Sequence, residues 1–164
     1  KKEAADKARG AAFSKLLGAV SIAAKTDPNP QFNPRLRAAA DKARAQGVPQ
    51  DRIDAAINRV EDAKETIEEI TVEAYGPGGA ALLVLAITDN RNRTMAELKK
   101  ILSDHECKIA TPGSVLWAFR KDGEEWAPQF SHEISREARE KIVDAIAAID
   151  EHADVQKTFT NAQI

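Results

Sequence analysis

Two arginines stand two residues apart in DNRNRT, residues 89–94. Guanidinium forks match the oxygens of phosphate or of a peptide backbone, so Arg91 and Arg93 beside a helix start are candidates for a phosphate or backbone clamp. Asp89, Asn90 and Asn92 serve equally well as turn and cap residues. Upstream, GPGG at residues 76–79 has the glycine content of a phosphate loop. No Lys-Ser or Lys-Thr follows it, however, and the chain runs into AALLVLAI, leaving no helix N-terminus to receive an anion. Those glycines predict a tight turn with positive φ. SDHECKIA brings His105, Glu106 and Cys107 together. Adjacent positions near a helix end point in different directions, and zinc needs three or four convergent ligands, which the isolated His132 and His152 do not supply. No Ser or Cys lies in a local nucleophile signature. The expectation is a non-enzymatic protein without metal or cofactor.

What remains is charge. The first 60 residues hold twelve Lys or Arg against six Asp or Glu, a net of +6, while residues 61–164 hold twelve against twenty, a net of -8. This partition hides behind an overall charge of -2. A basic part beside an acidic one suits a module that approaches phosphate next to one that does not, although a basic helix can also be only a solvated face.

The elements that must carry these charges follow from periodicity. Residues 4–60 read as three helices. Phe13, Leu16, Leu17, Val20 and Ala24 form the stripe of the first. Leu36, Ala39, Ala40 and Ala43 form that of the second, which Asn33 caps, Pro34 enters and Gly47 stops. Ile53, Ala56, Ile57 and Val60 form that of the third, entered at Pro49. EDAKETIEE, residues 61–69, reads as a connecting turn, giving a basic helical domain at residues 1–64 and an α+β domain at 65–164. In EITVEAY, Ile70, Val72 and Ala74 share one strand face and Thr71, Glu73 and Tyr75 the other. AALLVLAI is apolar on both faces, as a central strand is. A helix follows with Thr94 and Glu97 as a capping box and Met95, Leu98, Ile101 and Leu102 buried. SVLWAFR alternates as a strand with Trp117 in the core beside Val115 and Phe119, whereas Trp126 packs from a polar loop. A helix capped by Ser135 and a last strand in VQKTFTN complete the pattern. The fold class is α+β: a three-helix bundle, then a ferredoxin-like sandwich with an extra N-terminal strand. Outward aromatics on a central strand, which base stacking on a sheet requires, are absent from AALLVLAI.

With 164 residues, 43% hydrophobic and 30% charged, the composition is that of a soluble globular protein. No apolar run approaches the roughly 18 residues that span a bilayer, and KKEAADKARG lacks a signal-peptide core. A single cysteine forms no internal disulfide and fits a reducing compartment. The first residue is not Met, so a short preceding segment is expected.

The motifs KARGAAFSKL, NPRLRAAADKA, VPQDRIDAAI, YGPGGAALLV, TDNRNRT, GSVLWAF and DVQKTFTNA span nearly the whole chain. Together they resemble the YebC/PmpR family, which includes the mitochondrial translational activator of cytochrome c oxidase subunit I. The resemblance implies DNA-binding transcriptional regulators or ribosome-associated factors that assist difficult syntheses, in a bacterial cytoplasm or, for a eukaryotic member, the mitochondrial matrix. It implies that Lys7, Arg9 and Lys15 of the first helix and Arg35 and Arg37 of NPRLR face nucleic acid, with Arg91 and Arg93 lining a loop of the second domain. Lys1, Lys2 and Arg44 extend this candidate set. Three departures stand out: the basic segment usual ahead of KKEAAD, a Gly-Gly where Glu106 and Cys107 stand, and a further α+β domain replaced here by KDGEEWAPQFSHEI. The Glu-Cys pair predicts a different turn. Base-reading side chains on a helix-turn-helix are lacking, which favours ribosomal RNA as partner over DNA. A protein-interaction module whose charges only solvate is the remaining alternative.

Overall fold

Alanine recurs on the buried side of the first three helices, and small side chains let helix backbones approach closely. The computed structural model describes residues 2–63 and 66–164. Its described residues form two compact units, one running to Glu69 and including Ile87–Arg91, the other made of Ile70–Ala86 and Asn92–Ile164. The first unit contains α1 (Lys2–Ala24), α2 (Pro34–Ala45) and α3 (Gln50–Ala63). Val20, Leu36, Ala40, Ala43, Ile53, Ala56 and Val60 are buried between them, with Phe13, Leu16 and Leu17 partly buried at the margin. Asn33 organises the α1–α2 turn: its carbonyl accepts the Leu36 amide at 3.0 Å, and its amide donates to the carbonyls of Ala23 at 2.7 Å and Asp27 at 2.9 Å. The Ser21 hydroxyl donates to the Ala56 carbonyl at 2.8 Å, tying α1 to α3. Helix α3 runs through Ala63, beyond the turn expected to start at residue 61, and the 64/65 boundary lies outside the described residues.

The second core is built on a sheet. Strands β1 (Glu68–Tyr75), β2 (Ala81–Thr88), β3 (Lys108–Ile109) and β6 (Val155–Thr160) are arranged β3-β1-β2-β6. Helices α4 (Arg91–Asp104) and α5 (Arg136–Asp150) cover one face, where Leu98, Leu102, Ile142 and Ile149 pack on Val72, Leu82 and Val84. Ala81 and Leu83 point to the other face, onto Val115, Ala118 and Phe119. Strand β2 is thus buried on both sides, as its unbroken apolar run predicts. It pairs antiparallel with β6 through Leu82 with Thr160 and Val84 with Thr158. The turn between β1 and β2 holds Gly78 at φ 75, where a Cβ would also lie 2.8 Å from Ile134.

The α+β class with three leading helices holds, but one strand changes place. SVLWAFR is not a strand of the main sheet: Leu116–Ala118 form a 3-10 turn, and Phe119–Asp122 (β4) pair with Glu125–Pro128 (β5) in a separate two-stranded sheet. In the main sheet β1 lies between β3 and β2. Trp117 is accordingly not in the core; the 3-10 turn rotates it outward to 60% exposure, and its indole N–H donates to the Ser114 carbonyl at 2.7 Å. Trp126 does pack, half-buried under Lys121. Helix α4 starts three residues before the expected capping box, so Thr94 lies within the helix and its hydroxyl donates to Asp154 at 2.7 Å.

Candidate nucleic-acid interface

Helix α1 begins with residues 2–10 entirely exposed, so Lys2, Lys7 and Arg9 reach water. Lys1 lies outside the described residues. At about 100° per residue, Lys7 and Arg9 project roughly 200° apart and do not share a face. Lys15 is half-buried. On α2, Arg37 is exposed and donates to the Pro30 carbonyl at 3.0 Å.

Four other predicted cations meet carboxylates. Arg35 pairs with Glu69, Arg44 with Asp41 and Arg91 with Glu68, each at 2.5 Å; Arg93 pairs with Asp154 at 2.8 Å. Arg91 and Arg93 are thus each engaged by a carboxylate of their own unit. These arginine side chains remain between 43% and 60% exposed, where an ion pair is worth about 0–1 kcal/mol and exchanges readily for another anion. Lys2, Lys7, Arg9 and Arg37 make no ion pair among the described residues.

Arg52, in the first turn of α3, was not in the candidate set although its charge was counted. Its guanidinium lies 5.8 Å from the centroid of the Phe13 ring, and that of Arg9 lies 5.3 Å from the same centroid. The Arg9–Phe13 spacing of four residues on one helix was available as a signal; the convergence of Arg52 from 39 positions downstream required the packing of α1 on α3.

SDHECKIA is a helix end. Glu106 adopts φ 59, the Cys107 amide donates to the Leu102 carbonyl at 2.7 Å, and the Glu106 amide donates to Ser103 at 3.2 Å, the paired bonds of a Schellman cap. The turn therefore keeps the left-handed conformation that glycine favours, contrary to the different turn expected from Glu-Cys. Burial, and secondarily the Glu106 charge, push the Cys107 thiol up to about 11, which makes it a poor nucleophile. Among the described residues no group of three or more His, Cys, Asp or Glu is placed to hold a metal ion. Nor is any described helix long and apolar enough to cross a membrane.

Residues 1–63 match the model of the TACO1/YebC protein N-terminal domain, and residues 67–125 match that of the TACO1/YebC second and third domain. A probable transcriptional regulatory protein of Chlorobaculum tepidum is 46% identical over 126 residues, covering 75% of this chain and 50% of the relative. Another so named, from Geobacter sulfurreducens, is 46% identical over 128 residues, covering 75% and 51%. A third, from Chlorobium luteolum, is 39% identical over 149 residues, covering 89% and 58%. The chain thus spans about half the length of the curated relatives it matches. The crystal structure of a conserved hypothetical protein from Aquifex aeolicus superposes with a TM-score of 0.86 at 27% identity, covering 95% of this chain and 90% of that one.

Proposed function

The chain belongs to the TACO1/YebC family, and from that premise we propose that it is a non-enzymatic, nucleic-acid-binding regulator of gene expression. The reading rests chiefly on one observation: the helical unit presents Lys2, Lys7, Arg9, Arg37 and Arg52 at the surface with no carboxylate partner among the described residues. A polyanion supplies the missing counter-charge, and its condensed ions are released on contact.

The partner we favour is folded RNA, with the protein acting as a ribosome-associated translation factor in the cytoplasm. Phosphate contacts alone give register without base readout, which suits a large folded RNA better than an operator. That relatives are named probable transcriptional regulatory proteins supports a second reading, transcriptional regulation through DNA binding. Cosedimentation with purified ribosomal particles and retention on random-sequence duplex DNA, each across a salt series, separate the two. Binding to ribosomes that weakens steeply with salt and exceeds binding to DNA is expected. Preference for the duplex supports transcriptional regulation, and equal weak binding to both removes the case for RNA.

A further inference from the structure

Most surface arginines of the helical unit have a carboxylate: Arg35, Arg44 and Arg59 each lie 2.5 Å from one. Among the described residues, Arg9 and Arg52 do not. Both guanidinium groups instead lie within 6 Å of the Phe13 centroid, one from α1 and one from α3. The ring attracts each cation through its quadrupole, yet it neutralises neither charge. Two full positive charges on one ring repel each other, and an anion seated against both relieves that repulsion while accepting their N–H groups. Phe13 packs against the core of the unit, so the platform is anchored from below.

We infer that Arg9, Phe13 and Arg52 form a phosphate clamp that grips one phosphodiester of a folded RNA backbone. The inference rests on the nucleic-acid reading above and deepens it by naming a subsite. The ring orders both long side chains before binding, which reduces the rotamer entropy lost when phosphate arrives. It also adds Arg52 to the interface. Arg59, an arginine of the same unit outside the candidate set and paired with Asp89 at 2.5 Å, is the matched control.

The test measures binding of the whole chain to purified ribosomal RNA, and in parallel to random-sequence duplex DNA, over a salt series. Arg9→Ala with Arg52→Ala is expected to lower RNA affinity by on the order of a hundredfold, and to reduce the slope of log K against log salt by about 0.7 to 0.9 in total, the contribution of one phosphate. Arg59→Ala should change affinity less than about threefold. Arg9→Lys with Arg52→Lys should keep the slope and lose affinity, because ammonium groups preserve charge but not the stacked fork. Melting by circular dichroism checks that each variant is folded. Wild-type binding to RNA with an unchanged affinity and slope in the double alanine variant overturns the clamp while leaving the wider reading intact. Loss confined to duplex DNA overturns RNA as its occupant. Absence of salt-dependent wild-type binding to either polyanion overturns the nucleic-acid reading, and the clamp with it.

Discussion

Glu73 is placed by β1 on the face opposite Val72, where strand alternation assigns it to water, yet it is buried. Its carboxylate accepts amides from Gly113 at 2.6 Å, Val115 at 3.0 Å and Leu116 at 2.7 Å, so one acid holds the loop that leads into the 3-10 turn. Glu73→Gln replaces one acceptor oxygen with a donor facing those N–H groups. The expected cost is about 2 kcal/mol, read as a lower urea midpoint, with faster hydrogen exchange at the Gly113, Val115 and Leu116 amides. Wild-type exchange at those amides would show that the carboxylate does not hold the loop. Cys107 gives a second test at this scale. Its folded-state value is raised to about 11 from an ordinary 9, so above pH 9 the unfolded chain releases the thiol proton first. Its contribution to stability is therefore complete below pH 9 and is lost as pH rises towards 11. In urea melts over that window, wild type should lose stability relative to Cys107→Ala; at pH 8 the native thiol should resist a disulfide reagent that labels the unfolded chain at once.

Helices α2 and α4 end in the same cap built on different residues. Gly47 at φ 89 donates to the Arg44 carbonyl at 3.0 Å while Val48 donates to Ala43 at 3.0 Å, matching the bonds around Glu106. A left-handed conformation costs a non-glycine residue about 1 kcal/mol. Gly47→Ala should thus lower stability by about that amount. Glu106→Gly should raise it slightly, losing only the exposed pair with Lys141. Equal and negative effects on the melting temperature would contradict this account. Elements specified by local chemistry were legible: the Asn33 and Ser135 caps, the Gly47 stop, the positive φ of the GPGG turn and the twofold burial of β2 all follow from short patterns. SVLWAFR was not, because its alternation fits a strand equally well, and only the placement of β1 inside the sheet decides otherwise. The β4–β5 hairpin had a signal in Gly123, which at φ 67 takes the first position of the two-residue turn between Asp122 and Glu125.

On the scale of the molecule, the partition of charge was readable from the sequence, but the pairing of individual cations was not, since Arg35 meets Glu69 across 34 positions. That pairing sharpens what a charge reversal on α2 tests. In Arg35→Glu with Arg37→Glu, residue 35 would repel Glu69 and residue 37 would lose its bond to the Pro30 carbonyl. Both sites are exposed, so the fold should lose no more than about 1 kcal/mol. The net charge of the first 60 residues meanwhile drops from +6 to +2. If α2 contributes to the grip on RNA, ribosome association at 0.1 M salt should be abolished while circular dichroism and the melting curve stay near wild type. Arg91→Glu, which reverses one charge on a cation equally tied to a carboxylate, supplies the comparison: a local interface on α2 predicts a smaller loss there, whereas a purely long-range field predicts a loss in proportion to charge reversed. Retention of association at unchanged affinity in the α2 variant would remove Arg35 and Arg37 from the interface and leave α1 with Arg52 as its basis.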